Sequence, residues 1–282
     1  MNEQMKGINH QLADPNEPAE EPKAAATVLL VRDKDSDGIE VFLIERASKT
    51  NFGGAFVFPG GKVDLEDGSE SIERICEGPT DEEASITLGT SKGGLAYWVA
   101  CIRECYEEAG ILLAYRKDEE LFSPKNSSEK DLFIDYRRRL NEGELVLEEM
   151  SLKENILLAT NRLAYLSHWI TPKIEKRRYT TRFFVAQAPE GQDALHDGTE
   201  SVNSLWIKPE EAIQKQKEGK LLMILPTIKN LEEICGYNNT KTLLEDKISK
   251  NPKDIQTIEP KFFMEKGKLK GILPGEPGYE DH

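Results

Sequence analysis

The chain has 282 residues, of which 38% are hydrophobic and 31% are charged, and its formal net charge is −14. At roughly 100–200 residues per domain, this length fits one large domain or two small ones and allows a sizeable buried core. The negative charge disfavours sequence-independent binding of nucleic acid, because an acidic surface repels phosphate backbones.

The composition also bears on the cellular compartment. The apolar runs are interrupted by charges well short of the ~20 residues that a membrane helix needs, and the first 24 residues are acidic and proline-rich, unlike a signal peptide. The 4 cysteines are too few for a disulfide scaffold of this length, and they form no Cys-x-x-Cys pair. We therefore expect a protein of the reducing cytoplasm with no membrane partner. The sequence does not decide the oligomeric state, and a homodimer is possible.

The first part of the chain predicts a flexible tail followed by strands. Residues 1–23 lack hydrophobic periodicity and are rich in Glu, Pro and Asn, which is typical of a disordered tail. Short β-branched apolar runs then predict strands at 24–32, 40–46 and 56–58. Residues 65–94 are polar, acidic and glycine-rich, so we expect an inserted loop with one short helix near 69–76.

Helices and strands alternate in the remainder. Residues 95–109 have helical periodicity, and Gly110 stands at the expected C-terminal cap. A charged helical insert is predicted at about 127–155. Further strands are predicted at 162–170, 179–188 and 202–207, with helices starting at Pro209 and near Thr227. We interpret 24–250 as one α/β domain and 251–282 as a C-terminal extension that wraps the surface.

Three glutamates share one face of the predicted helix. At about 100° per residue, Glu104, Glu107 and Glu108 fall within an arc of roughly 100°. Like charges three and four residues apart destabilise a helix, so the cluster requires either a bound cation or full solvation. Carboxylate oxygens are the ligands that Mg²⁺ and Mn²⁺ take. An ordinary solvated helix face is the alternative.

The residues around this cluster resemble a known motif. Residues 103–111, which read Arg-Glu-Cys-Tyr-Glu-Glu-Ala-Gly-Ile, resemble the second half of the Nudix box. Residues 58–64, Phe-Pro-Gly-Gly-Lys-Val-Asp, resemble its glycine-containing entry. The chain from about 24 to 212 is therefore similar to the Nudix hydrolases. This resemblance implies the Nudix α/β/α sandwich, a mixed β-sheet between helices, here with an additional helical insertion.

The box is split by an insertion. Between Gly61 and Arg103 lie 41 residues, far more than in the family's unbroken pattern. Counting forward from Gly61 puts the first acidic position of the box at Asp67, whereas counting back from Arg103 puts it at Leu95. Asp67, Glu66 or no residue at all fills this position. The insert either covers the site as a lid or decorates the surface.

A split box resembles the peroxisomal-type coenzyme A diphosphatase branch of the family and its bacterial relatives. Residues 168–172 (His-Trp-Ile-Thr-Pro) and 177–184 are further matches to that branch. A coenzyme A signature known from other Nudix enzymes is matched at only one of two positions. Gly54 agrees with it, but Thr50 stands where an arginine is expected.

The resemblance implies metal-dependent hydrolysis of a phosphoanhydride in a nucleoside diphosphate linked to another moiety. Coenzyme A or acyl-coenzyme A is the candidate substrate. An ADP-ribose or NADH pyrophosphatase is the alternative, and a non-catalytic Nudix-like nucleotide-binding module is a further one.

Site residues follow from the same resemblance. Mg²⁺ or Mn²⁺ would be held by Glu104, Glu107 and Glu108, and Arg103 would orient one of these carboxylates through a bidentate bond. Glu104 or Glu200 would act as the general base, and the sequence does not choose between them. The substrate-binding candidates are Gly60, Gly61, Arg46 and Arg178. Arg178 belongs to a basic cluster at 177–182 that suits phosphate capture or forms a solvated loop.

Overall fold

The computed structural model of the protein describes residues 12–14, 16–34, 38–49, 52–116, 120–265 and 268–282. Most of the predicted flexible tail, including residues 1–11, lies outside these ranges, as does Thr50. Within the described part of the tail, the Ala13 amide donates to the Ile174 carbonyl at 2.9 Å.

A mixed sheet of eight strands forms the centre of the molecule. Its spatial order is β10-β7-β8-β1-β2-β3, with β4 paired to β1 and β9 paired to β2. Strand β1 is parallel to β8 and antiparallel to β2 and β4. The strands are β1 (Lys23–Asp33), β2 (Ile39–Arg46), β3 (Phe56–Val57), β4 (Gly60–Lys62), β5 (Ala114–Tyr115), β6 (Leu157–Leu158), β7 (Ala164–Ile170), β8 (Tyr179–Gln187), β9 (Ser201–Ile207), β10 (Thr257–Ile258), β11 (Lys261–Glu265) and β12 (Lys268–Ile272).

Helices cover both faces of the sheet. They are α1 (Asp81–Leu88), α2 (Leu95–Glu104), α3 (Ser127–Asn141), α4 (Leu147–Glu154), α5 (Pro209–Lys217), α6 (Leu225–Glu233) and α7 (Thr240–Ser249). No helix within the described ranges is long and apolar enough to span a bilayer.

Strand β1 separates two hydrophobic cores. Its residues Val28 and Leu30 pack in one core with Trp98 of α2, whereas Leu29 and Val31 pack in the other, with residues of α5, α6 and α7. This alternation is the two-residue period of a strand whose two faces are both buried. The predicted α/β/α sandwich with a mixed sheet is confirmed.

The predicted helix at 95–109 is also confirmed, with one refinement. Helix α2 continues into a π-helical turn at Cys105–Ala109, which ends at Gly110 with φ +72°. Glycine adopts this left-handed conformation without steric cost. The predicted helical stretch at 127–155 is divided into α3 and α4, because the chain leaves the helix at 142–146, where Gly143 has φ +69°.

The insert at 65–94 is more ordered than a loop. It contains 3₁₀ turns at Glu66–Gly68 and Ile72–Ile75, and also α1, which the sequence prediction missed. The Asp81 carboxylate of α1 accepts from the amides of Gly93 and Leu95 at 2.9 and 3.0 Å, at the start of α2. The insert is therefore packed against the helix that carries the glutamates.

The C-terminal extension was predicted only to wrap the surface. It adds β10 to the edge of the main sheet and then forms the antiparallel hairpin of β11 and β12. His168 of β7 fixes this arrangement, since its Nδ1 lies 2.8 Å from Thr257 Oγ1 and its Nε2 lies 2.7 Å from Thr180 Oγ1. Burial lowers the pKa of His168 to about 4, so the ring is neutral at pH 7.

Candidate active site

A cavity of about 1070 Å³ lies beside the glycine-containing strand β4. Its walls bring together most of the predicted site residues, which the sequence places up to 154 positions apart. No residue of the insert at 65–94, all of which is described, contributes to the lining, and this disfavours the lid interpretation. The predicted site residues in the lining are Arg46, Gly60, Gly61, Arg103, Glu104, Glu107, Glu108 and Glu200.

The two glycines of β4 allow carboxylates to approach the backbone closely. The Gly60 amide donates to Glu108 Oε2 at 2.7 Å. A Cβ atom on Gly61 would lie 2.4 Å from Glu104 Oε1, and one on Gly60 would lie 2.5 Å from the Ala26 carbonyl oxygen. Side chains at these positions would displace either the carboxylate or β1, which explains the requirement for glycine.

Arg103 connects the glutamate cluster to the insert. Its Nε and Nη2 atoms both donate to the Asp67 carboxylate at 2.9 Å, and its Nη1 donates to Glu104 at 3.0 Å and to Glu107 at 2.8 Å. Nη2 also donates to the Lys62 carbonyl at 2.8 Å. The sequence left Asp67, Glu66 or no residue for the first acidic position of the box. Asp67 is the one that contacts Arg103.

The three glutamates lie where burial disfavours their charged form. Burial raises the pKa of Glu104 well above its ordinary value; the Arg103 guanidinium opposes this, and Glu108 and Glu107 add to it. Burial raises the pKa of Glu108 to about 7, against the effects of Arg46 and the Gly60 amide. Burial also raises the pKa of Glu107, which Arg103 partly offsets. Burial therefore raises the pKa of all three carboxylates more than the neighbouring arginines lower it.

The carboxylate oxygens at this site have the chemistry that a hard divalent cation requires. Two guanidinium groups, of Arg46 and Arg103, contact the carboxylates of Asp67, Glu104, Glu107 and Glu108, so negative charge is in excess. Carboxylate oxygens in such an excess are the ligands that hard divalent cations take. Within the described residues, no group of three Asp, Glu, His or Cys side chains has the geometry of a metal site. Two of the glutamates, Glu104 and Glu107, instead both accept from Arg103 Nη1.

Glu200 lies on a loop that Asp197 shapes. The Asp197 carboxylate accepts from the amides of Glu200 and Ser201, both at 2.9 Å, and the Ala47 amide donates to the Glu200 carbonyl at 2.8 Å. These bonds fix the loop beside the end of β2. The Glu200 side chain is exposed, and its charge contributes to the raised pKa of Glu108. Asp197 was missed in the sequence, although an Asp followed by Gly and Thr is typical of such a turn.

Arg137 of α3 is a second residue that the sequence reasoning missed. Its Nε donates to the Glu107 carbonyl at 3.0 Å, and its Nη2 donates to the Leu195 carbonyl at 2.9 Å. A Cβ atom on Gly110 would lie 2.9 Å from Arg137 Nη1. Arg137 therefore joins the π-helical turn that carries two glutamates to the loop that carries Glu200. Nothing in the charged pattern of α3 distinguishes it from its neighbouring arginines.

The structure corrects the assignment of Arg178 to substrate binding. The side chain is 6% exposed and does not line the cavity. Its three guanidinium nitrogens donate to the Thr171 carbonyl, the Glu20 carbonyl and the Glu259 carboxylate, at 3.0, 2.9 and 2.7 Å. Through these bonds, Arg178 connects the N-terminal segment at Glu20 and the C-terminal extension at Glu259 to the sheet. Its neighbour Arg177 lines the cavity instead.

Comparisons with known proteins identify the family to which the chain belongs. The family model described as the NUDT19 Nudix domain matches residues 80–234, more than half of the chain. The chain is 24% identical over 273 residues to Acyl-coenzyme A diphosphatase NUDT19 of Xenopus laevis, which covers 86% of this chain and 72% of that protein. The protein of the same name from Gallus gallus is 24% identical over 276 residues, which covers 86% and 73%.

The fold has a counterpart among solved structures. A crystal structure of a Nudix hydrolase from Alicyclobacillus acidocaldarius superposes with a TM-score of 0.66 at 22% identity, over 80% of this chain and 96% of that one. This likeness shows a shared fold. The match of the family model to more than half of the chain shows that the protein belongs to the NUDT19 Nudix family and is a Nudix hydrolase.

Proposed function

We propose that the protein hydrolyses the phosphoanhydride of coenzyme A or acyl-coenzyme A, releasing 3′,5′-ADP and the corresponding 4′-phosphopantetheine. The observation that carries this proposal is the convergence of Glu104, Glu107, Glu108 and Glu200 on one cavity beside the glycines of β4. The names of the relatives support the substrate class. We further propose that the enzyme works in the reducing cytoplasm, with which its 4 free cysteines agree.

We propose that Glu104, Glu107 and Glu108 hold Mg²⁺ or Mn²⁺. When bound, such an ion would supply positive charge to the pyrophosphate and would lower the pKa of a water molecule toward neutral pH. The residues of this chain supply the remaining functions, because phosphoryl transfer depends mainly on positioning and charge.

Each of the other site residues has a role that its contacts support. Arg103 holds Glu104 and Glu107 in fixed rotamers by donating to both. Arg46 lies 3.9 Å from Glu108 and faces the cavity, where it would also bind a phosphate oxygen. Gly61 lets the Glu104 carboxylate lie close against the backbone of β4, and the Gly60 amide holds the Glu108 carboxylate at the cavity.

Glu200 and Glu104 remain the two candidates for the general base. Glu200 is exposed at the cavity, where it would reach the attacking water and accept its proton. The Glu104 side chain is 13% exposed and accepts a hydrogen bond from Arg103. These contacts favour Glu200 as the base and Glu104 as an ion ligand.

The substrate proposal is tested by chromatography of the products from coenzyme A, octanoyl-coenzyme A, ADP-ribose and NADH, with Mg²⁺ or Mn²⁺. We expect 3′,5′-ADP from the first two compounds. Turnover of ADP-ribose or NADH alone would retain the hydrolase chemistry and overturn the coenzyme A assignment.

Replacing Arg137 with alanine is expected to lower kcat by about tenfold or more, with a smaller change in KM. The substitution removes the donors to the Glu107 and Leu195 carbonyls, so the two glutamate-bearing segments lose their common support. A displacement of about 1 Å at catalytic groups can cost on the order of 100-fold in rate. Steady-state kinetics with coenzyme A measure this effect.

The neighbouring arginine provides a matched control. Arg138 lies on the same helix, but its side chain is 50% exposed and pairs with Asp135 and Glu142 at the surface. Arg138→Ala should leave kcat within about twofold of the wild type, since exposed pairs contribute little. Equal kinetics for Arg137→Ala and Arg138→Ala would remove the positioning role of Arg137.

A further inference from the structure

The C-terminal extension is fastened to the edge of the main sheet, next to the cavity. Its strand β10 pairs with β7, so that Thr257 lies opposite His168 and Ile258 lies opposite Trp169. The Glu259 carboxylate accepts from Arg178 Nη2 at 2.7 Å, and the Glu259 carbonyl accepts from the Tyr279 hydroxyl at 2.8 Å. The segment that follows therefore has a fixed position relative to the sheet.

One row of cross-strand partners connects the glycine strand to this extension. Lys62 of β4 lies opposite Ala25, Ala25 opposite Thr181, Thr181 opposite Trp169, and Trp169 opposite Ile258. At ~4.8 Å per strand, the four steps span about 19 Å. The first four residues of this row all line the cavity. The cavity thus extends across the sheet from the carboxylates to the C-terminal extension.

The hairpin of β11 and β12 supplies the wall at that end. Phe262, Ile272 and Leu273 line the cavity. Phe262 lies opposite Gly271 in the register of the hairpin, and a Cβ atom on Gly271 would lie 3.0 Å from Phe262 Cε1. The absence of a side chain at 271 therefore lets the aromatic ring lie close against the opposite strand.

The residues beyond the carboxylates give the cavity a predominantly apolar character. Trp169 and the segment 223–226, which reads Met-Ile-Leu-Pro, line it together with the hairpin. Polar groups at this end come from Thr171, Glu175, Arg177, Tyr179, Thr181, Thr227 and Glu276. A largely apolar wall interspersed with polar groups suits an extended arm that contains amides and ends in a hydrocarbon chain.

We propose that the C-terminal hairpin, through Phe262, Ile272 and Leu273, contacts the acyl chain of an acyl-coenzyme A substrate and sets the preference for acylated over free coenzyme A. This inference rests on the proposed function. The pyrophosphate would lie at the carboxylates, and the pantetheine arm would follow the row of cross-strand partners to the hairpin. Phe262 is thereby a specificity-determining residue of this chain.

The test compares kcat/KM for octanoyl-coenzyme A with kcat/KM for free coenzyme A. Phe262→Ala is expected to lower the ratio of these values by about tenfold, because apolar contacts with a few methylenes contribute factors of ~10–200 to discrimination. Ile272→Ala is expected to lower the ratio in the same direction. The second variant keeps the test informative if the first fails to fold, which thermal melting detects.

Phe263→Ala is the matched control. Phe263 is the same residue type in the same strand, but it does not line the cavity, and its ring stacks on His282 at 3.7 Å between centroids. Its substitution should leave the ratio within about twofold of the wild type. Folded Phe262→Ala and Ile272→Ala proteins with an unchanged ratio would overturn the acyl-chain inference alone. Absence of turnover of either compound by the wild type would instead overturn the proposed function.

Discussion

Replacing Glu107 with glutamine is expected to lower kcat by about 100-fold or more while leaving the fold intact. Glutamine has nearly the same shape and still offers an oxygen to Arg103 Nη1, which donates to Glu107 at 2.8 Å. The substitution removes one negative charge from the proposed ion ligands. Because charge stabilisation is a large part of the catalysis of phosphoryl transfer, this loss falls on the chemical step. Steady-state kinetics with coenzyme A at saturating Mg²⁺ measure it.

A glutamate outside the cavity gives the matched control for this experiment. Glu149 is exposed on α4 and does not line the cavity. Glu149→Gln makes the same chemical change and should leave kcat within about twofold, since exposed single charges rarely affect a distant site. Wild-type turnover in the Glu107→Gln protein would remove the role that we assign to Glu107.

Replacing Asp67 with alanine is expected to destabilise the protein by about 3 kcal/mol. Asp67 is 2% exposed, accepts two bonds from Arg103 and accepts a third from the Asp64 amide at 2.8 Å. Burial raises the pKa of Asp67 despite these donors, so the intact pair contributes little net stability. Its removal nevertheless takes two hydrogen bonds from the Arg103 guanidinium, whose side chain is only 11% exposed. The melting temperature should fall by roughly 6–12 °C.

Asp64 provides the control, because it carries the same group near the same arginine. Its side chain is 55% exposed, and its Oδ2 lies 3.4 Å from Arg103 Nη2. Asp64→Ala should cost less than about 1 kcal/mol, as is usual for exposed ion pairs. Chemical denaturation of both variants and the wild type measures the difference. A loss in Asp67→Ala no larger than in Asp64→Ala would show that burial of the Asp67 pair does not matter for stability.

Some features were missed although the sequence carries a signal for them. Thr80 and Glu83 form a reciprocal capping box at the start of α1, and this Thr-x-x-Glu spacing is visible in the sequence. The acidic, glycine-rich composition of the insert obscured it. By contrast, β10 has only two residues and pairs with a strand nearly 90 positions earlier, so its local pattern gives no indication of a strand.

The sequence by itself determined those features that depend on neighbouring residues. The periodicity of 95–109 predicts the helix, the glycine at 110 predicts its end, and the spacing of three glutamates predicts that they share a face. The apolar run at 24–32 likewise predicts a strand. Each of these patterns repeats within a few residues, which is the range over which backbone geometry relates sequence to structure.

Only the tertiary structure decided which distant groups meet. The path of the insert brings Asp67, and not Glu66, onto Arg103. Arg178 is bonded to Glu20 and Glu259, whereas its neighbour Arg177 lines the cavity. The packing of α3 aims Arg137, and not Arg138, at the glutamate-bearing turn. Adjacent residues of the same or similar charge are nearly equivalent in the sequence, and only burial against a particular partner makes them different.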